Sequence, residues 1–310
     1  MINKLNILHT TPSMGVNSGG PTLSIYLTVK GLQKNGLDAD IITYQVTDKS
    51  DELIAEENFI QVLPPVSNFF AYSKGIKDFL QRNLQYDIYH IQGVWLYPSL
   101  ITARIARRFK KPYIITPRGM LYPQDLAKGK LKKSMFLKLF LMNDLQKATC
   151  LHATCVDEMN HLRKLGIKSP IAIIPNPIEI REYPEKKEDT VFRLGYLGRL
   201  HPRKNVESLL HAFAELGNKA EEAELLIIGG GNEKYEQFLK AKVIRLGLQN
   251  VKFTGFLSGA EKDKALASLS VLAMPSEFEN MGNVILEGLT RRIPCIATKG
   301  SPWQELELYG

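Results

Sequence analysis

Cysteine is scarce: Cys150, Cys155 and Cys295 are the only three in 310 residues. An odd number at these positions fits neither a disulfide framework nor the paired spacing of a zinc site, so they read as reduced structural thiols. No group of His, Cys and Asp has metal-ligand spacing, and no metal cofactor is expected. No apolar run reaches the length of a membrane span, and the one in "MINKLNILHTTPSMG" is too short for a signal peptide. A cytoplasmic protein is expected, at most peripheral on the inner face of the cell membrane. No repeat of fixed period is visible. Basic residues are scattered without interleaved aromatics, which argues against nucleic acid as a partner.

What is present is an ordinary globular composition, 44% hydrophobic and 23% charged, with a net charge of +8 that favours anionic partners. Short apolar runs alternate with longer amphipathic segments, the pattern of parallel sheets with crossover helices. "LNILH", "ADIITY", "FIQVL", "DIYHI", "PYIIT", "CLHAT" and "IAIIP" read as strands of a first domain over 1–177. "NPIEIREYPEKKEDT" reads as a linker, placed at 178–190, after which the alternation restarts over 191–310. The expected architecture is α/β: two doubly wound, Rossmann-like domains facing a cleft.

In such sheets ligands bind beyond the carboxyl ends of the strands, so the segments that follow strands carry the candidates. The most informative is "PSEFENMGNVILEG", Pro275–Gly288, directly after the strand "SVLAM". It sets Glu279 and Glu287 on either side of Asn280, Gly282 and Asn283. With a helix starting near Gly282, eight residues at a rise of about 1.5 Å span about 12 Å, the scale that separates the sugar from the ribose in a sugar nucleotide. A diphosphate between them would meet the free N–H groups of the helix start, and each carboxylate can accept bonds from vicinal hydroxyls.

"GYLGRLHPRKN" places Arg199 and Lys204 past another strand, able to neutralise a departing diphosphate. Gly229, Gly230 and Gly231 follow "LLII" and would let a nucleotide base lie against the backbone, with Gly230 central. The near match to GxGxxG lacks the acidic residue expected of a dinucleotide site. Gly19 and Gly20 precede the first long helix as an anion cradle. "DAD" at Asp38–Asp40 precedes its strand and reads as a solvated turn, not as a metal motif. "HIQGVWLYP" and "TPRGMLYP" offer His90, Gln92, Trp95, Arg118 and Tyr122 as acceptor contacts, Arg118 being counted with the donor-binding residues as well, although His90 is equally well read as a core imidazole. Residues 126–143, "LAKGKLKKSMFLKLFLMN", hold five lysines and no acid. Two readings stand for them: a basic amphipathic helix on anionic lipid, or a helix packed on its own domain with snorkelling lysines.

Taken together, "GGPT", "GRLHPRKN", "IIGGG" and the E-x7-E element Glu279–Glu287 resemble the retaining glycosyltransferases of family 4, which have the GT-B fold. "GVWLYPSL", "TPRGMLYP" and "ENMGNVILEG" resemble the subgroup found in bacterial surface-polysaccharide clusters. The resemblance implies a metal-independent transfer of a hexosyl unit from a nucleoside-diphosphate sugar to a glycan acceptor, lipid-linked in this subgroup. It implies that Arg199 and Lys204 hold the diphosphate, Glu279 the transferred sugar and Glu287 the ribose, with Gly20 approaching the phosphates. Near Arg118, many relatives carry a histidine that contacts the donor sugar. Relatives also continue past the "WQELELYG" at which this sequence stops, so a second domain short at its C-terminal side is expected. The rival readings are a sugar-nucleotide-binding remnant with weak or no activity, and a sugar-nucleotide epimerase or a phosphorylase of related architecture, for which no lysine stands out as a pyridoxal-phosphate carrier.

Overall fold

The strands are short, nearly continuous apolar runs of the kind that parallel sheets bury on both faces. In the computed structural model, which describes residues 4–48, 51–66, 68–185, 191–217 and 222–303, they form two all-parallel sheets. The chain divides between Pro177 and Ile178.

The first unit contains β1 (Asn6–Thr10), α1 (Gly20–Lys34), β2 (Asp38–Tyr44), β3 (Ile60–Leu63), α2 (Lys74–Arg82), β4 (Ile88–Gln92), α3 (Tyr97–Arg108) and β5 (Tyr113–Thr116). It continues with α4 (Pro123–Ala127), α5 (Lys130–Phe136), a π-helical turn at Leu137–Leu141, α6 (Met142–Gln146), β6 (Cys150–Ala153), α7 (Val156–Lys164) and β7 (Ile171–Ile173). The sheet order β3-β2-β1-β4-β5-β6-β7 reverses between β1 and β4. All seven strand segments expected from the apolar runs are present. Asp38–Asp40 is a correction: it forms the first three residues of β2, where Asn6 and Asp38 pair in register. Asp38 pairs with Lys4 and Asp40 accepts from the Tyr86 hydroxyl at 2.8 Å.

Residues 126–143 do not form a single helix. Gly129 adopts a left-handed conformation between α4 and α5, and the π-turn re-phases the chain before α6. Leu137 and Leu141 enter the core, while Leu131, Met135 and Leu139, four residues apart, stay exposed beside Lys130, Lys132 and Lys138. The segment therefore has both a packed face and an outward apolar stripe with a basic margin.

The second unit contains β8 (Phe192–Leu197), α8 (Val206–Glu215), β9 (Ala223–Ile228), α9 (Glu233–Arg245), β10 (Val251–Gly255), α10 (Gly259–Ala267), β11 (Val271–Met274), α11 (Asn283–Leu289) and β12 (Cys295–Ala297). Its order β10-β9-β8-β11-β12 reverses between β8 and β11. Much of the expected linker is fastened to this unit. Arg181 and Arg291 both pair with the buried Asp263, and the Arg291 guanidinium lies 3.8 Å from the Tyr183 ring centroid. Burial opposes ionisation of Asp263, yet the two guanidiniums hold its carboxyl below the usual range. Linker residues 186–190 and the terminal residues 304–310 lie outside the described residues.

A polar row crosses the first sheet on one face. His9 and His90 are register partners on β1 and β4, with ring centroids 4.6 Å apart. His90 Nε2 lies 2.7 Å from Thr116 Oγ1, Thr116 Oγ1 lies 3.1 Å from His152 Nδ1, and His152 Nε2 lies 2.7 Å from the Ile174 carbonyl. The carbonyl can only accept, so His152 carries its hydrogen on Nε2. Thr116 then donates to His152 and accepts from His90. Burial holds all three imidazoles neutral, and His9 is pushed down to about 3.

Two predictions follow from these packing facts. An unfolded chain protonates these histidines below about pH 6.5, whereas the folded one resists until far lower. Stability should therefore fall as pH drops from 7 to 5, by up to about 1.4 kcal/mol per pH unit for each such histidine. Urea midpoints should show this slope, shallower in His9→Gln; equal slopes in both proteins would refute the row's role. In the second unit, a Cβ on Gly229 would lie 2.0 Å from the Gly198 carbonyl oxygen, at φ +137°, whereas one on Gly230 would meet nothing closer than 3.8 Å. Gly229→Ala should cost about 2 kcal/mol or more and Gly230→Ala under about 1 kcal/mol by chemical denaturation.

Candidate functional site

At the reversal of the second sheet, four loops that follow strands interlock. The Gly229–Gly231 segment after β9 packs backbone against backbone on the end of β10 and on the loop after β8: Gly229 N–H donates to Gly255, Leu200 N–H donates to Gly230 at 2.8 Å, and Leu200 bridges Gly231. Close approach of two main chains accounts for Gly229 and Gly231. Gly230 alone has open space where a side chain would stand.

The loop after β8 carries Arg199, which is exposed and has no carboxylate partner among the described residues. Its carbonyl accepts from the buried Tyr196 hydroxyl at 3.0 Å. A single tight helical turn, Pro202–Lys204, is capped by His201 and ends at Asn205 in a left-handed conformation. This turn aims Lys204 Nζ at Glu279 Oε1 in the loop after β11. Ser276 Oγ donates to the same oxygen at 2.7 Å. Glu279 Oε2 is left without a protein partner among the described residues. The result is a carboxylate pinned by one oxygen and open at the other.

The rest of the Pro275–Gly282 loop is braced from the loop after β12. Thr298 Oγ1 donates to the Ser276 carbonyl, and Trp303 Nε1 donates to the Met281 carbonyl at 2.6 Å. A Cβ on Gly300 would come within 2.3 Å of the Glu277 carbonyl oxygen. Arg203 covers the Phe278 ring at 5.5 Å, and its carbonyl accepts from Glu277 N–H. Gly282, at φ +66°, caps α11, and Asn283 opens that helix as expected. A side chain on Gly282 would strike Met274 and Trp303. Glu287 lies inside α11, largely buried, with Lys262 Nζ of α10 at 2.6 Å from its Oε2. Glu279, Arg199, Lys204, Asn280, Gly282 and Gly230 thus lie on post-strand loops of one sheet edge, with Asn283 the first residue of the helix that follows and Glu287 one turn into it.

Sequence reasoning missed Lys262, Ser276 and Trp303. Lys262 sits in "EKDKALASL", where its charge is indistinguishable from that of neighbouring solvated lysines. Trp303 had a signal, since "TKGSPW" follows a strand and tryptophan is rare in this chain.

In the first unit, Gly19 is exposed at φ +73° ahead of Gly20, which opens α1. Arg118 lies just past β5 at φ +54°, with Nε 2.9 Å from Gln92 Oε1. Its Nη1 lies 3.2 Å from Ser24 Oγ and 3.3 Å from Asn176 Oδ1. Two of the expected acceptor contacts, His90 and Tyr122, are buried in the first unit. His90, 8% exposed, is spent on Thr116 within the sheet row. Tyr122, 1% exposed, packs against His161 with its hydroxyl 3.6 Å from Cys155 Sγ. Trp95 donates to the Met120 carbonyl and lies under Lys133. The sheet row holds His90, and packing on His161 and Cys155 holds Tyr122.

Comparison with known proteins gives a consistent result. A model described as glycosyl transferases group 1 matches residues 178–307, and one described as glycosyl transferase 4-like domain matches residues 19–177. An α-monoglucosyldiacylglycerol synthase of Streptococcus pneumoniae is 26% identical, across 92% of this chain and 68% of that protein. An uncharacterized glycosyltransferase of Methanocaldococcus jannaschii, MJ1607, is 30% identical, across 90% of this chain and 76% of its own length. Among solved structures, Anabaena HepE in complex with UDP and glucose has a TM-score of 0.75 at 19% identity, covering 97% of this chain and 83% of that one. WaaG, a glycosyltransferase involved in lipopolysaccharide biosynthesis, has a TM-score of 0.70 at 15% identity, covering 98% and 84%. Two parallel α/β sheets with GT-B neighbours, and family models matching both units, place the chain in the glycosyltransferase family of group 1 and 4-like domains.

Proposed function

We propose that the chain is a retaining hexosyltransferase that moves a sugar from a nucleoside diphosphate to a lipid-linked glycan during surface-polysaccharide synthesis. The observation that carries this reading is Glu279, whose Oε1 is held by Lys204 and Ser276 while Oε2 stays available for a sugar hydroxyl. Arg199 and Lys204 supply the positive charge that a departing diphosphate needs, and we expect the transfer to proceed without a metal. The bond between the anomeric carbon and the phosphate oxygen breaks as the acceptor oxygen bonds to that carbon on the same face. The acceptor's proton passes to the leaving phosphate oxygen. No side-chain nucleophile is then required. Glu287, steadied by Lys262, is assigned to the ribose.

HepE was solved with UDP and glucose, which supports a nucleotide-hexose donor. The named role of WaaG in lipopolysaccharide biosynthesis, and the synthase that the pneumococcal relative is named for, support a lipid-bearing acceptor. The exposed Leu131, Met135 and Leu139 stripe with its lysines supports peripheral contact with an anionic membrane. No helix among the described residues is long and apolar enough to cross one.

Lys204→Ala should weaken nucleotide-sugar binding by about tenfold or more, since a charge-assisted hydrogen bond is worth about 1.5–3 kcal/mol. Glu287→Ala should weaken it as well, while Glu279→Gln should lower the transfer rate more than it lowers affinity for the free nucleoside diphosphate. Calorimetric titrations against UDP-, GDP- and ADP-sugars check this; variants that titrate like the wild type would overturn the assignments. Turnover of the donor with no acceptor present would point to epimerisation instead. For the membrane face, Lys130→Glu with Lys132→Glu should weaken co-sedimentation with phosphatidylserine-containing vesicles by about tenfold or more, at about 1 kcal/mol per basic residue. Equal sedimentation of both proteins would remove that contact from the proposal.

A further inference from the structure

A guanidinium taken out of water normally meets a carboxylate, because burying an unpaired charge is expensive. Arg118, half-buried beyond the end of its strand, meets none among the described residues. Its three protein acceptors, Gln92 Oε1, Ser24 Oγ and Asn176 Oδ1, are all neutral, and they engage only Nε and Nη1. Among the described residues, Nη2 has no acceptor and no carboxylate pairs with the group. The acid whose field Arg118 feels is Glu158. Glu158 spends Oε1 on the Gly119 N–H at 2.6 Å, and Oε2 on the N–H and hydroxyl of Thr154 at 2.7 and 2.9 Å. Burial lowers the Arg118 pKa to about 10, which still leaves it charged at neutral pH.

The acceptors are themselves fixed. Gln92 Nε2 lies 3.2 Å from His9 Nδ1, so the amide nitrogen faces His9 and the amide oxygen faces Arg118. Ser24 Oγ donates to Asn176 Oδ1 at 2.9 Å. The backbone is held too. Arg118 sits at φ +54° and Gly119 at φ +75°, and Glu158 clasps this left-handed turn through the Gly119 N–H. A long side chain in that region is strained by about 1 kcal/mol or more, and such strain persists where the surroundings enforce it.

A second uncommitted donor belongs to the same network. Because His9 Nδ1 accepts from Gln92, the neutral ring carries its hydrogen on Nε2. That atom is fully buried and has no hydrogen-bond partner. An orphaned buried N–H costs about 1–3 kcal/mol, so a fold generally keeps one only where a water, an ion, stored strain or a functional role accounts for it. Both donors lie at the carboxyl edge of the strands where the order reverses between β1 and β4, the place where open α/β sheets bind ligands.

We propose that Arg118 anchors an oxyanion site in the first unit, which takes a carboxylate or phosphate carried by one of the substrates. A neutral hydroxyl would satisfy a donor but not the charge. Naming a substrate as the carrier rests on the transferase reading, whereas the oxyanion site itself does not. Two carriers share this chemistry: an acidic sugar bearing a carboxylate, and an acceptor bearing a phosphate.

The test is titration of the full chain at fixed ionic strength with methyl glucuronide, methyl glucoside and inorganic phosphate. The readout is the Arg118 Nε–H resonance, assigned by its loss in Arg118→Gln. The expected result is a saturable shift with glucuronide or with phosphate and none with the neutral glucoside. A response to glucuronide alone identifies the acidic sugar, a response to phosphate alone identifies the phosphorylated acceptor, and a response to both supports the oxyanion class. Calorimetry should show affinity at least about tenfold weaker in Arg118→Gln and partly retained in Arg118→Lys, whose melting curves report folding. Lys204→Ala should lose nucleotide affinity yet keep the oxyanion response, so the two readings can fail separately. A glucoside response equal to that of the glucuronide, a silent Arg118 resonance, or binding unchanged in both Arg118 variants would overturn the proposal.

Discussion

In each sheet the order of strands turns back once, between β1 and β4 and between β8 and β11. Connections on either side of that point leave toward opposite faces, so no crossover covers the strand ends there. The structure of both candidate sites depends on this constraint. Loops emerging at the reversal must satisfy their own main-chain groups, and in the second unit they do so by binding one another. Thr298 on the Ser276 carbonyl, Trp303 on the Met281 carbonyl and Leu200 N–H on the Gly230 carbonyl leave little freedom in the segments that carry Glu279 and Lys204. Rigid loops at an uncovered edge are what a site for a charged ligand requires, because donors fixed in advance need not reorganise when the ligand arrives.

The two units solve the problem of exposed charge in opposite ways. In the second, an acid is held by a cation and a hydroxyl on one oxygen, which orients it. In the first, a cation is stabilised by neutral oxygens alone, which orients it without cancelling its charge. An ion pair already in place gives way readily to a ligand that bonds the same groups. An uncompensated guanidinium instead retains its full attraction for an anion.

Much of the fold was legible because parallel strands, buried on both faces, leave unbroken apolar runs between turn residues. The E-x7-E element was legible for a related reason: it combines a strand end, a left-handed glycine and a helix start within a few residues. What the sequence hid was tertiary. Nothing local distinguishes Lys262 from its solvated neighbours, and its pairing with Glu287 depends on how α10 and α11 meet. Asp38–Asp40 reads as a turn by composition, yet pairing with β1 draws it into β2. His90 lies within β4 and Tyr122 beyond β5, close to where ligand contacts occur, and only packing reveals that both are buried. The glycine pattern likewise hid a tertiary cause, since Gly229 and Gly231 meet neighbouring main chain where a side chain would stand.

The neutral histidine row also bears on Arg118. His9 and His152 both feel its charge, and each would repel it if protonated. The relay from the Ile174 carbonyl through His152 and Thr116 assigns each hydrogen in turn, so an added proton would leave one pair of donors facing each other. Burial disfavours the charged imidazoles for the same reason that it disfavours any unpaired ion. Positive charge at this edge is thereby confined to one planar group of known orientation. Three charged rings would attract anions as strongly but without direction, and would unfold the sheet that holds them. Keeping the imidazoles neutral lets a single guanidinium act as the directional element, and ties the integrity of the first sheet to the same proton balance.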